Sequence, residues 1–132
     1  MIIWLASYPK SGNTWLRSLI ANYYFSETGE FNFDLLEKID SFPSNKYFRK
    51  YLDKFNQPHD TSKYWIKEQE KINQSKGLKF FKTHNALCKI DGNQFTNKEN
   101  TVGVIYIVRD PRNVISSLSV SYTHLTLPTT VR

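Results

Sequence analysis

The chain has 132 residues, a formal charge of +6 from 18 Lys and Arg against 12 Asp and Glu, and one cysteine, Cys88. That length holds a single domain. One cysteine excludes an internal disulfide and favours a reducing compartment, and the basic balance favours anionic partners such as nucleotides, nucleic acid or acidic glycans. No apolar run has the length of a membrane span or the form of a signal peptide, so no membrane span and a cytoplasmic location are expected.

The opening run Ile2-Ile3-Trp4-Leu5-Ala6 reads as a buried strand, and Trp15, Leu16, Leu19, Ile20, Tyr23 and Tyr24 recur at helical spacing after it. Arg17, Ser18 and Asn22 fall on the opposite side, so the aromatic stripe is expected to pack on the sheet and Arg17 to face solvent. Short helical patterns follow over residues 33–39 and 46–55. A longer one is capped by Thr61 or Ser62 and runs to Gln74, with Tyr64, Trp65, Gln69 and Ile72 near one face. This aromatic-rich middle also carries many lysines. Such interleaving suits base stacking on nucleic acid, but its spacing fits a packing face better, and an acceptor pocket would be lined from here.

Leu78 to Lys82 is a short strand candidate ending in Thr83-His84-Asn85. Residues 90–100 read as a turn-rich surface connection, and Cys88 as a buried or half-buried side chain. The run from Val102 to Val108 is nearly continuous in β-branched and aromatic residues, as for a strand covered on both faces. Asp110 and Pro111 then supply an N-cap and first position for a helix bearing Val114, Ile115 and Leu118. Three strands leading into polar turns imply an α/β fold with a P-loop-like, mainly parallel sheet flanked by helices. Ligands of such sheets gather at the carboxyl ends of the strands. Lys10, Lys82, His84 and Arg109 all fall there.

The turn Tyr8-Pro9-Lys10-Ser11-Gly12-Asn13-Thr14-Trp15 links the first strand to its helix. It aims free backbone N–H groups and a positive helix end at one point, which suits a phosphate. Lys10 adds charge, Ser11 and Thr14 add hydroxyl donors, and Gly12 permits a close backbone approach. Neither a Walker A loop nor a dinucleotide fingerprint is present. Nothing in the spacing of acidic, His or Cys residues points to a metal.

YPKSGNTW closely resembles the 5′-phosphosulfate loop of the sulfotransferases that use 3′-phosphoadenosine 5′-phosphosulfate (PAPS). Phe81-Lys82-Thr83-His84 resembles the KTH segment of that family, and Val108 to Ser117 its 3′-phosphate segment. The resemblance implies sulfuryl transfer from PAPS to a hydroxyl or amine on a small-molecule or glycan acceptor, with no metal and no nucleic-acid partner. It further implies His84 as general base, Lys10 at the 5′-phosphate and bridging oxygen, and Lys82 at the sulfuryl group. Ser11, Gly12, Asn13 and Thr14 would hold the 5′-phosphate. Trp15 would stack near the adenine, and Arg109 with Ser117 would grip the 3′-phosphate, Ser116 being the register alternative. His59 and His124 have no such context and are read as surface or tail residues.

From about Ser119 the chain becomes threonine-rich and loses helical period, resembling translated adapter sequence. Residues 1–119 are therefore expected to be the N-terminal part of a sulfotransferase domain, truncated and by itself inactive, and 120–132 an aberrant tail. Two other readings remain at this point. A P-loop kinase or NTPase would use Asp110 as its carboxylate, and a basic nucleic-acid-binding module would lose affinity steeply with salt.

Overall fold

The computed structural model describes the backbone of residues 1–54 and 58–130 and the side chains of residues 1–54 and 59–122. Its elements are β1 (Ile2–Ser7), α1 (Asn13–Phe25), a 3-10 turn (Phe33–Lys38), β2 (Asp40–Ser41) and α2 (Asn45–Phe48). A second 3-10 segment (Pro58–Tyr64), α3 (Trp65–Gln74), β3 (Lys79–Thr83), the pair β4 (Lys89–Ile90) and β5 (Asn93–Gln94), β6 (Thr101–Ile107) and α4 (Pro111–Thr130) complete it. β2, β3, β1 and β6 lie in that order in one parallel sheet. The expected α/β class is therefore found.

β1 is central, and its alternating side chains serve two cores. Ile2 and Trp4 point into an aromatic cluster with Phe42, Phe48, Trp65, Phe81 and Phe95. Leu5 joins Ala21, Ile39 and Phe80 on the other face, where Ile3, Leu16 and Ile20 pack alongside. Trp4 anchors the first cluster, its ring centroid 5.0 Å from Phe95 and its Nε1 donating to Thr101 Oγ1 at 2.9 Å. In α3, Trp65 and Gln69 are buried as the spacing predicts. Gln69 donates to the Phe95 carbonyl at 2.6 Å and accepts from Thr96 Oγ1 at 2.6 Å, so the buried amide is matched on both sides.

Several local expectations are corrected. On α1 the buried or half-buried positions are Asn13, Leu16, Arg17, Ser18, Ile20, Ala21 and Asn22, while Trp15, Leu19, Tyr23 and Tyr24 stand exposed. The helix is rolled because Arg17 is drawn inward: its Nη2 donates to the Leu36 and Ile39 carbonyls at 2.9 and 2.8 Å. α2 is a single turn, and the predicted end of that helix, Phe55, lies outside the described residues. The 90–100 connection holds the β4–β5 hairpin, turned by Asp91 and Gly92 at positive φ, and it buries Phe95 and Asn100. Cys88 is exposed.

β6 is an edge strand among the described residues, pairing only with β1, and Val102, Val104, Ile105, Tyr106 and Val108 are exposed. Its composition reads as a strand covered on both faces, but no described element lies beyond it. α4 starts as expected, with Asp110 Oδ1 accepting from the Arg112 N–H at 2.9 Å. Its backbone then stays helical past Ser119 to Thr130, where no helical period was visible; a helix is sustained by i to i−4 bonds whatever the side-chain pattern. Val114 is the one buried hydrophobic of its described side chains.

Candidate functional site

β1, β3 and β6 run parallel, so their carboxyl ends deliver Ser7, Thr83 and Ile107 to one edge of the sheet. The turn after β1 has two residues in the left-handed region, Lys10 at φ 65° and Gly12 at φ 105°. Glycine adopts that conformation freely, whereas lysine held there stores on the order of 1–2 kcal/mol of strain. Gly12 is the N-cap of α1, no side chain caps the helix, and its first turn carries no acidic residue. The Leu16 N–H donates to the Gly12 carbonyl at 3.1 Å. The N–H groups of Asn13, Thr14 and Trp15 precede that first helical bond and are directed out of the helix end. This is an uncapped positive terminus, suited to an anion.

A cavity of about 420 Å³ opens in front of it, lined by Pro9, Lys10, Gly12, Asn13, Thr14, Lys82 and His84. Lys82 enters from β3, where alternation puts it on the same sheet face as Phe80 and α1. Partial burial lowers its pKa from the usual lysine range, and the nearby Arg17 guanidinium lowers it further. Arg17 itself is lowered by burial, with Asp40 acting in the opposite sense.

His84 follows β3 directly. Its Nδ1 lies 2.7 Å from the Ser7 carbonyl oxygen. A carbonyl can only accept, so Nδ1 carries the proton, and in the neutral ring Nε2 keeps its lone pair. That is the arrangement a general base needs.

Next to this cavity lies a more apolar one of about 430 Å³, lined by Tyr8, Ser11, Tyr106, Val108, Arg109, Val114 and others. Arg109, which lines this second cavity, donates from Nη1 to the carbonyl of Lys10 in the first at 3.0 Å. The structure thus gathers Lys10, Gly12, Asn13, Thr14, Lys82 and His84 in one cavity and Ser11 with Arg109 in its neighbour. Trp15 and Ser117 line neither: the indole is 69 % exposed and Ser117 is half-buried on α4. Ser116 Oγ donates to the Arg112 carbonyl at 3.1 Å, which occupies the register alternative.

Asp110 is engaged by Arg112, whose Nη2 lies 2.7 Å from Oδ2. Among the described residues no three His, Cys, Asp or Glu side chains cluster as metal ligands would, and no helix is long and apolar enough to cross a membrane. Reading the sequence missed Ser7 and Arg17 at this site. Ser7 contributes mainly through a main-chain carbonyl, which leaves no signal in residue type.

Residues 2–128 match a protein family described as the sulfotransferase domain. No curated protein and no solved structure matches the chain.

Proposed function

We propose that this chain, which belongs to the sulfotransferase domain family, binds PAPS and directs its sulfuryl group to a hydroxyl or amine acceptor. Sulfuryl transfer is the reaction of the family; the donor, the acceptor type and the residue roles are our reading. The observation that carries it is the meeting of Lys10, Lys82 and a His84 whose Nδ1 lies against the Ser7 carbonyl, in front of the uncapped α1 terminus.

In this mechanism His84 Nε2 takes the proton of the acceptor as its oxygen or nitrogen forms a bond to sulfur. The bond from sulfur to the bridging oxygen breaks, and its electron pair stays on the 5′-phosphate of adenosine 3′,5′-bisphosphate. Lys10 and the N–H groups of residues 11–14 stabilise the charge that develops there, and Lys82 faces the transferred group. Arg109 takes the 3′-phosphate at the apolar cavity, with Ser117 as its partner on α4 and Trp15 flanking the adenine. No metal enters, because lysines supply the charge. The reading places the protein in the cytoplasm, consistent with an exposed free thiol at Cys88.

We further propose that residues 1–119 form the N-terminal part of a larger sulfotransferase domain, that 120–132 are foreign to it although the family match runs on to residue 128, and that the 132-residue chain turns over poorly. The exposed apolar flank of β6 supports this. Calorimetry with adenosine 3′,5′-bisphosphate tests the donor site: binding is expected, and a chain that ignores it while binding ATP with magnesium refutes the reading in favour of a kinase. Radiolabelled sulfuryl transfer by the uninterrupted reading frame tests the base. His84→Ala is expected to lose activity by a factor of roughly 10²–10⁴, and retained turnover refutes the assignment.

A further inference from the structure

The anion loop and the base are joined by two buried polar side chains. Asn13, the first residue of α1, is 5 % exposed, and its Nδ2 turns away from the helix end to donate to the Leu5 carbonyl at 2.8 Å and to Ser7 Oγ at 3.0 Å. Its Oδ1 is buried with no hydrogen-bond partner. Ser7 is 4 % exposed, with its hydroxyl oxygen 3.4 Å and its carbonyl oxygen 2.7 Å from His84 Nδ1. A side chain whose N–H groups are directed to β1, and whose remaining atom is an acceptor, has nothing to offer a phosphate. Only the backbone N–H of Asn13 can serve the anion.

We propose that Asn13 and Ser7 are positioning residues for His84. Asn13 clamps the end of β1 at Leu5 and Ser7, and Ser7 presents two acceptor oxygens to Nδ1. The clamp selects the Nδ1–H tautomer and leaves Nε2 free for the acceptor proton. The α1 terminus and the imidazole thereby form one rigid unit, in which the residue that starts the anion-binding helix also orients the base. This inference rests on the reading of His84 as general base.

The test is the tautomer itself, measured on the 132-residue chain without any ligand. Long-range proton–nitrogen correlation spectra of 15N-histidine-labelled protein distinguish a protonated from an unprotonated ring nitrogen, and His84→Gln identifies the His84 signals. At a pH about two units above the ordinary histidine value of about 6.5, the rings are neutral. Wild type is expected to carry the proton on Nδ1. Asn13→Ala, which releases the strand end that carries the Ser7 carbonyl, is expected to raise the Nε2–H population clearly. Ser7→Ala, which keeps that carbonyl but loses the 3.4 Å hydroxyl contact and the bond to Asn13, is expected to raise it less but measurably, whereas Ser7→Thr, which keeps the hydroxyl, retains the wild-type spectrum. Ser7→Ala leaves the helix start intact and decides the matter if Asn13→Ala does not fold. A wild-type ring protonated on Nε2, or alanine variants whose tautomer ratio equals that of wild type, overturns the proposal. Those outcomes are independent of nucleotide binding and of turnover by His84→Ala, on which the underlying reading stands or falls.

Discussion

Arg17→Met would separate the two things a buried guanidinium does beside this site. Methionine keeps much of the aliphatic stem but removes the Nη2 bonds to the Leu36 and Ile39 carbonyls at 2.9 and 2.8 Å. A hydrogen bond to a charged group contributes about 1.5–3 kcal/mol net. These two share one nitrogen, and the substitution also relieves the desolvation of a guanidinium whose Nε is buried without a hydrogen-bond partner. The expected loss is therefore about 2 kcal/mol rather than the sum. For a domain of this size that lowers Tm by on the order of 8 °C in a calorimetric scan. The second effect is electrostatic. Lys82 is lowered by burial and then by Arg17, so removing the cation raises the Lys82 pKa, read as an upward shift of its side-chain NMR titration. An unchanged Tm together with an unmoved Lys82 titration would refute the reasoning.

Glu68 is buried, which alone would raise its pKa, but hydrogen bonds from Lys50, Tyr51 and Lys71 at 2.8, 2.5 and 3.0 Å outweigh that and hold it below the ordinary range. A depressed folded value contributes stability above the unfolded value of about 4.3, lost as pH falls through the folded one. Glu68→Gln should thus be destabilised relative to wild type at pH near 7, with the gap narrowing as pH falls below the unfolded value of about 4.3 in urea melts, and a constant gap contradicts this. Gln69→Leu strands the Phe95 carbonyl and is expected to lose about 1–3 kcal/mol in the same assay; a neutral result would mean that the amide is replaceable. Saturating adenosine 3′,5′-bisphosphate at about 100-fold over Kd should add about 2.7 kcal/mol to the stability, visible as a raised Tm, and no shift at that excess would count against the site.

The parts of the site that were legible in the sequence are those where residue type and chain position carry the chemistry. Lys10, Gly12, Lys82, His84 and Arg109 follow strands or end them, and parallel pairing of β1 with β3 and β6 is enough to bring them together. Asn13 and Ser7 were not legible as a clamp. Their link is a contact between a strand end and a helix start six residues on, invisible to periodicity. α1 was misread because a hydropathy pattern ranks aromatic residues above arginine, whereas the Leu36 and Ile39 carbonyls at the end of the 33–38 turn accept from the guanidinium and draw Arg17 inward. β2 is two residues long, too short for any alternation to show. β6 has the composition of a covered strand and the surroundings of an edge, and composition alone does not say what lies alongside.

The same residues show why this edge of the sheet is suited to an anion and poorly suited to being empty. Lys10 is held at positive φ where glycine would sit without strain, and Gly12 caps α1 with no side chain to answer its N–H groups. The pKa of Lys82 is lowered by burial and by the neighbouring Arg17, and Arg109 reaches the loop through the Lys10 carbonyl, which adds a further cation. Lys10 at positive φ and the half-buried Lys82 run against local preference, and local conflicts of this kind concentrate where function requires them. One event relieves the electrostatic part of them. An anionic group at the α1 terminus accepts from the open N–H groups, favours the charged form of Lys82 and offsets the repulsion among the cations. A strand-to-helix turn selected for stability alone would have placed an acidic or hydroxyl N-cap at position 12 and a residue other than lysine at position 10.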